Sequence, residues 1–410
     1  MRLIKAVSHI LAIVMLFAAA HPAFGQETVT SYGGALLADT CSTSVNDVAL
    51  TGDSVKNVKK PSVIQRVLDY FARSNEEKPH KRFDFSILGG PHYSSDVKLG
   101  LGLVAAGLYR TAPGDTVTPV SNVSLYGDVA TSGFAMVGIR GNHIFRNDRL
   151  RIDYDLYFSS FPTKFWGIGY DNGVKGSNET DYKELTVDFT ANFTWQVLPN
   201  LYVGPSAQVS YVDARNVENP LMWQGGPLRT TTIGLGGVLR YDTRDNLTAT
   251  TRGWMLQAEQ RFCPRFLGNG NNAFSFTRLT ASTYVPVWRG CTLALQARAV
   301  YNYGNVPWSM MSTFGGNSTM RGYYKGRYRD KAEADLTVEF RQHLWHRIGM
   351  VVWGGVATVA PSPGSMRLSR LLPNCGIGYR WEFKRLTNIR VDYGIGRGCS
   401  SFIFSINEAF

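Results

Sequence analysis

A chain of 410 residues with 43 lysines and arginines against 31 acidic residues carries a formal charge of +12, and 44% of it is hydrophobic. The positive charge forms neither a basic helix nor a repeating basic and aromatic array, which excludes nucleic acid as the expected partner. Five cysteines (Cys41, Cys263, Cys291, Cys375 and Cys399) are an odd number at wide spacing, fitting neither a zinc site nor the disulfide framework of a small domain.

The first element in chain order is a processing signal. Arg2 and Lys5 precede an apolar run from Leu11 to Ala20, and Ala23-Phe24-Gly25 supplies small residues at the two positions a signal peptidase reads. That run is shorter than the ~18–20 residues a membrane-spanning helix needs. Residues 1–25 are therefore expected to be a signal peptide, leaving a mature chain that starts near Gln26. Residues 26–82 are polar and contain one stretch of helical spacing, Val63, Val67, Leu68 and Phe71 within 62–74. They read as a periplasmic segment with one short helix.

From Phe83 onward the period switches to two. Leu185, Val187, Phe189, Ala191, Phe193 and Trp195 share one face, and Glu184, Thr186, Asp188, Thr190, Asn192 and Thr194 share the other. The same alternation sets Ile152, Tyr154, Leu156 and Phe158 against Arg151, Asp153, Asp155 and Tyr157. Charge recurs on one face of strand after strand, which a packed core could not hold unpaired. A wet lumen can hold it, with the apolar face turned to lipid. Supplies of 20 Tyr, 22 Phe, 9 Trp and 42 Gly suit aromatic girdles and tight turns.

The runs predict strands at 83–93, 97–110, 119–130, 133–145, 149–160, 182–196, 200–213, 230–243, 253–263, 274–288, 290–303, 333–345, 347–360, 372–383, 387–396 and 400–410. This is an all-β chain, a transmembrane antiparallel β-barrel of about 16 strands over 83–410, and an even strand number is what a bacterial single-chain barrel requires. Connections at Arg146-Asn147-Asp148, Leu198-Pro199-Asn200, Arg289-Gly290 and Lys384-Arg385-Leu386 are short. Those at 161–181, 214–229 and 304–332 are long. Short periplasmic turns and long external loops are the asymmetry of outer-membrane barrels, so the expected location is the outer membrane of a Gram-negative bacterium. Outer-membrane lipid then accounts for part of the positive charge. The last strand places Phe402, Phe404, Ile406 and Phe410 on one face, interrupted by Glu408 near the rim. A terminal aromatic on such a strand resembles the assembly signal that the barrel-assembly machinery reads in its clients.

Residues Met320-Arg321-Gly322-Tyr323, in the longest external loop, resemble the (V)RG(F/Y) signature in the sixth loop of the BamA/TamA family of outer-membrane assembly and translocation barrels, also called bacterial surface antigens. Arg240-Tyr241-Asp242-Thr243-Arg244-Asp245-Asn246, followed by Arg252-Gly253, resembles the family's strand–turn–strand motif. Gly376-Ile377-Gly378-Tyr379-Arg380, Arg390-Val391-Asp392-Tyr393-Gly394 and Asn407-Glu408-Ala409-Phe410 resemble its last three strands. The resemblance covers residues 83–410. It implies that loop six folds back into the lumen, where Arg321 pairs with acidic residues of the late strands. Parity makes Asp335, Glu339 and Asp392 the candidate partners. It also implies a seam between the first and last strands at which a client outer-membrane protein adds a strand by β-augmentation. Asp242, Arg244 and Asp245 either share in that function or simply close a turn.

Two departures stand out. Residues 26–82 are too few and too polar for the POTRA domains that insertases of the family carry, so this chain reads as a barrel-only member. Trp353-Gly354-Gly355-Val356 also stands where many relatives have an acidic residue. Catalysis is not expected, nor any metal or cofactor. Of the seven histidines only His92, beside Ser94, Ser95 and Asp96, has suitable neighbours, and no G-x-S-x-G or HExxH is present. Topology keeps Cys263 and Cys291 a barrel height apart, whereas Cys375 and Cys399 share the external rim and either bridge or stay free. Outer-membrane protein assembly or export is the function the resemblance implies. A passive solute pore, or a structural surface antigen partnering other envelope proteins, are the alternatives.

Overall fold

Alternation of period two from Phe83 to the end builds one continuous meander. A computed structural model describes residues 83–410 apart from 95–97, 112–117, 119, 248 and 385–386. The expected signal peptide, the helix at 62–74 and Cys41 lie outside the described residues. The strands are β1 (Phe83–Ser94), β2 (Lys98–Tyr109), β3 (Ser121–Ala130), β4 (Ala135–Ile144), β5 (Leu150–Phe165), β6 (Thr180–Leu198), β7 (Leu201–Arg215), β8 (Arg229–Asp242) and β9 (Gly253–Cys263). They continue as β10 (Phe274–Trp288), β11 (Cys291–Gly304), β12 (Ser312–Thr313), β13 (Arg329–Asp330), β14 (Ala332–Trp345), β15 (Ile348–Ala360), β16 (Leu372–Lys384), β17 (Thr387–Gly396) and β18 (Cys399–Ile406).

Sixteen of these form a single antiparallel sheet in sequence order, with β11 pairing β14 across the long loop that holds the β12–β13 ribbon. The end strands β1 and β18 lie against each other, so the sheet comes round into a barrel. Bringing the two end strands together suits a membrane, where a sheet edge lying open to lipid is costly.

The alternation sorts side chains as expected. Leu156, Phe158, Val187, Phe189, Phe193 and Trp195 are exposed on the outer face, while Arg151, Thr186 and Thr194 of the same two strands are buried inside. Trp288 and Trp345, each 58% exposed, end β10 and β14 beside short turns, with Trp195 and Tyr241 at the same end. Amphipathic rings at that height match the interfacial belt of a membrane protein.

The two largest boundary differences from the sequence expectation are the ends of β5 and β18. At the long-loop end β5 runs on to Phe165 and β6 starts at Thr180, because Phe165 and Tyr182 pack with Trp223 and Trp308 inside the barrel mouth. At the other end β18 stops at Ile406 instead of reaching Phe410. Asn407 takes φ 64°, a left-handed conformation that breaks the pleat. The residues after it turn inward.

Candidate functional site: loop six in the lumen

Residues 305–331 fold back into the barrel, and Arg321 is only 1% exposed there. Its Nη1 donates to Asp392 Oδ2 at 2.6 Å and its Nη2 to Glu339 Oε1. Both carboxylates are wholly buried, Glu339 on β14 and Asp392 on β17. A planar guanidinium offers fixed donors to two separate acceptors, which a lysine ammonium would not do with the same geometry. The Arg321 guanidinium also lies 3.7 Å from the centroid of the Trp353 ring on β15. Trp353 thus offers the buried guanidinium an aromatic face, and cation–π attraction adds to its two ion pairs.

Further arginines complete the cluster. Arg341 Nε donates to Glu339 Oε2 at 2.9 Å. Arg380 Nη1 reaches Asp392 Oδ1 at 2.6 Å, and Arg390 Nη1 reaches Asp392 Oδ2 at 2.8 Å. Glu408 accepts from Arg380 Nε at 2.9 Å and from Asn388 Nδ2 at 2.8 Å. Each carboxylate is met by at least one guanidinium, as burial of charge demands.

The loop backbone is held as well. Asn374 Nδ2 donates to the Arg321 carbonyl at 2.9 Å, and the Gly322 amide donates to Ser401 Oγ at 3.2 Å. Gly322 has φ 112°, and a Cβ there would come within 2.8 Å of the Gly394 carbonyl carbon. A Cβ on Gly394 would lie 2.6 Å from the Arg321 oxygen. Loop and strand therefore touch backbone to backbone, which only glycine at both positions allows. Tyr323 is fully buried and its ring sits over Gly396, against Phe314 and Tyr328. Its hydroxyl donates to the Pro373 carbonyl at 2.7 Å and accepts from the Arg397 amide at 2.9 Å. Burial pushes that hydroxyl up to about 12, so it remains a neutral donor.

Of the three expected acidic partners, Glu339 and Asp392 meet Arg321 and Asp335 does not. Asp335 stands directly across the ladder from Arg298, whose Nε donates to it at 2.8 Å while Nη2 takes Glu333. The cross-strand neighbour claims that carboxylate before loop six can reach it. The C-terminal aromatics also divide. Phe402 faces outward, whereas the Phe410 ring lies 4.9 Å from the Arg341 guanidinium and 6.3 Å from the inward-facing Tyr284. The left-handed turn at Asn407 causes this, and it carries Glu408 into the lumen instead of leaving it on the lipid face. Phe404 is half-buried on β18.

The strand–turn motif forms a second charged group at the short-turn end. Arg244 Nε and Nη2 each donate to Asp242 at 2.9 Å, and Arg151 Nη1 stands 3.6 Å from the same carboxylate. Arg151 is held by Asp148 at 2.6 Å and stacks 4.1 Å over the Tyr202 ring. Asp245 closes the turn by accepting from the amides of Thr251 at 3.0 Å and Arg252 at 3.3 Å. Partial burial raises its carboxyl, but the hydrogen bonds from Thr251, Arg252 and Asn246 outweigh that and leave it below the ordinary value. Tyr241 points outward and takes no part in these contacts.

Arg341 shares strand parity with Glu339 and so faces inward, and parity with Asp392 places Arg390, and Arg380 opposite it, there too. Parity gives no signal for Glu408, which lies beyond the break at Asn407, or for Trp353 as a cation partner. Among the described residues Cys263, Cys291, Cys375 and Cys399 form no disulfide. His92 sits on β1, opposite Gly100.

The Omp85 superfamily domain is matched over residues 141–410. Among solved structures, BamA from Haemophilus ducreyi lacking POTRA domains 1–3 is similar at TM-score 0.53 and 13% identity, over 80% of this chain and 70% of that one. CdiB from Escherichia coli is similar at TM-score 0.52 and 11% identity, over 80% of this chain and 64% of that one. At such identities the likeness is one of fold. No curated protein matches the sequence.

Proposed function

Because the chain belongs to the Omp85 superfamily, we propose that it acts in the assembly, insertion or export of outer-membrane proteins. In this reading the barrel sits in the outer membrane of a Gram-negative bacterium, with its short turns in the periplasm and outer-membrane lipid around it. The barrel-assembly machinery installs it, and client outer-membrane proteins are its partners. The observation that carries the reading is the seating of loop six: Arg321 bridges Glu339 and Asp392, tying one loop to β14 and β17 at once. A loop anchored this way holds the late strands in register while the seam between β1 and β18 parts. A client strand then adds to the exposed edge through main-chain hydrogen bonds.

The test is quantitative proteomics of the outer membrane after depletion, with complementation by wild type or Arg321→Ala. Loss of other barrels while lipoproteins persist, unrescued by the variant, is the expected result. An unchanged barrel inventory sinks the reading. A second reading, a passive solute pore, draws on the wall formed by β3 to β6, where Arg140, Asp153, Asp155 and Asn192 line an open cavity of about 260 Å³. Planar-bilayer conductance that grows on deletion of residues 304–332 would favour it.

A further inference from the structure

Resting on the seam reading, we propose that Glu408 is a positioning residue that latches the periplasmic end of β18 inside the barrel, so that the last strand leaves the seam more readily once this carboxylate lets go. The ladder between β17 and β18 ends at the pair Ile389 and Ile406, followed by a single backbone bond from the Asn407 amide to the Asn388 carbonyl at 2.7 Å. Beyond that point the chain has left the sheet. Glu408 then reaches across β17 to Arg380 on β16 and takes a second bond from Asn388. The strand at the seam is therefore tied to the strand two places inward by a side chain, and β18 cannot swing outward at this end while the tie holds.

The tie is wired to loop six. One guanidinium, Arg380, gives Nη1 to Asp392 and Nε to Glu408, and Asp392 is also the partner of Arg321. A second route runs from Arg321 through Glu339 to Arg341, which donates to the Phe410 carbonyl at 2.9 Å and lies 4.0 Å from Glu408. Loop six and the tail of β18 thus share partners, and loosening one weakens the other. Arg341, Arg380, Asn388 and Glu408 also line a cavity of about 260 Å³ at this end of the barrel, together with His343 and His346.

Amide hydrogen exchange on the full chain in lipid nanodiscs tests the latch. Glu408→Gln is expected to speed exchange of residues 402–406 about tenfold, the loss of a charge-assisted bond, while β5 to β8 stay at wild-type rates. Phe402→Leu, a lipid-facing change on the same strand, should leave them unaltered. Glu408→Asp, which keeps the charge, should restore part of the protection at 402–406 that Glu408→Gln loses, a rescue no mere packing role produces. Asn388→Ala, which removes the second bond to the same carboxylate, should act in the same direction if Glu408→Gln fails to fold. Wild-type rates at 402–406 in Glu408→Gln and Asn388→Ala, or an even rise over all strands, would overturn the latch. Client assembly is read separately. A latch found by exchange, together with an unchanged barrel inventory on depletion, leaves the latch standing and removes the assembly reading.

Discussion

Two stretches of the barrel wall carry the same alternating pattern and use it differently. On β3 to β8 the lumen-facing polar groups find partners along the wall itself. Tyr126 donates to Asp155 at 2.8 Å, Gln208 to Asp188 at 3.0 Å, and Arg240 pairs with Asp153 with both side chains partly exposed. On β14 to β18 loop six lies on top, and Glu339 and Asp392 have no exposed side-chain surface. The difference lies in coverage and not in residue type. A carboxylate on an open wall can rely on water, whereas one beneath a loop must be met by cations. Four arginines, Arg321, Arg341, Arg380 and Arg390, gather where the loop sits.

The strongest way to break this comparison is Arg321→Ala. Removing one partner from buried ion pairs should destabilise the barrel by about 3–5 kcal/mol, read as a lower urea midpoint in lipid vesicles. Gly322→Ala should follow at about 1–3 kcal/mol, the scale of a strained left-handed residue, and displaced loop resonances or faster proteolysis of 312–330 would report it. Trp353→Leu keeps the volume apolar and removes only the ring face. A loss of about 0.5–2 kcal/mol in the same unfolding assay would match the cation–π contact. Arg140→Ala on the open wall should cost less than about 1 kcal/mol, and a loss equal to that of Arg321→Ala would erase the distinction between the walls.

The smallest expected effect is local and depends on acidity. The Asp245 carboxyl is lowered in the folded chain, so its contribution to the turn is complete above the carboxyl's unfolded pKa and fades as pH falls through the folded value. Exchange at the Thr251 and Arg252 amides, corrected for intrinsic rates, should therefore rise on acidification below the ordinary carboxylate range. Asp245→Asn should remove that trend.

Most of the fold was legible because membrane strands obey one rule for their whole length. Each of the sixteen expected strands exists, and the differences lie at strand ends and in the short β12–β13 ribbon within loop six. β5 and β6 grew because Phe165 and Tyr182 had aromatic partners in other loops, Trp223 and Trp308, that no local window contains. β18 shrank because one backbone angle at Asn407 reversed the parity of everything after it. The site was legible to the same degree. Parity alone put Glu339 and Asp392 indoors, but it could not tell that Asp335 already faced Arg298 across the ladder. Nor could it see Trp353 beneath Arg321, since an inward tryptophan reads as packing until the cation above it is known.

The folded-back loop also imposes an order of events. Every hairpin in the sheet joins neighbours in sequence and can zip as soon as both strands exist. Arg321 instead meets Asp392, 71 residues later, and Gly322 meets Ser401, 79 residues later. Those closures carry the larger chain-entropy cost and have nothing to close upon until β17 and β18 are in place. The Arg321 end of loop six is thus a late arrival on a finished wall, whereas Trp308 of the same loop already has Phe165 and Tyr182 of β5 and β6 to pack upon. A barrel halted short of β17 would hold the loop by its early contacts alone, with Arg321 lacking Asp392.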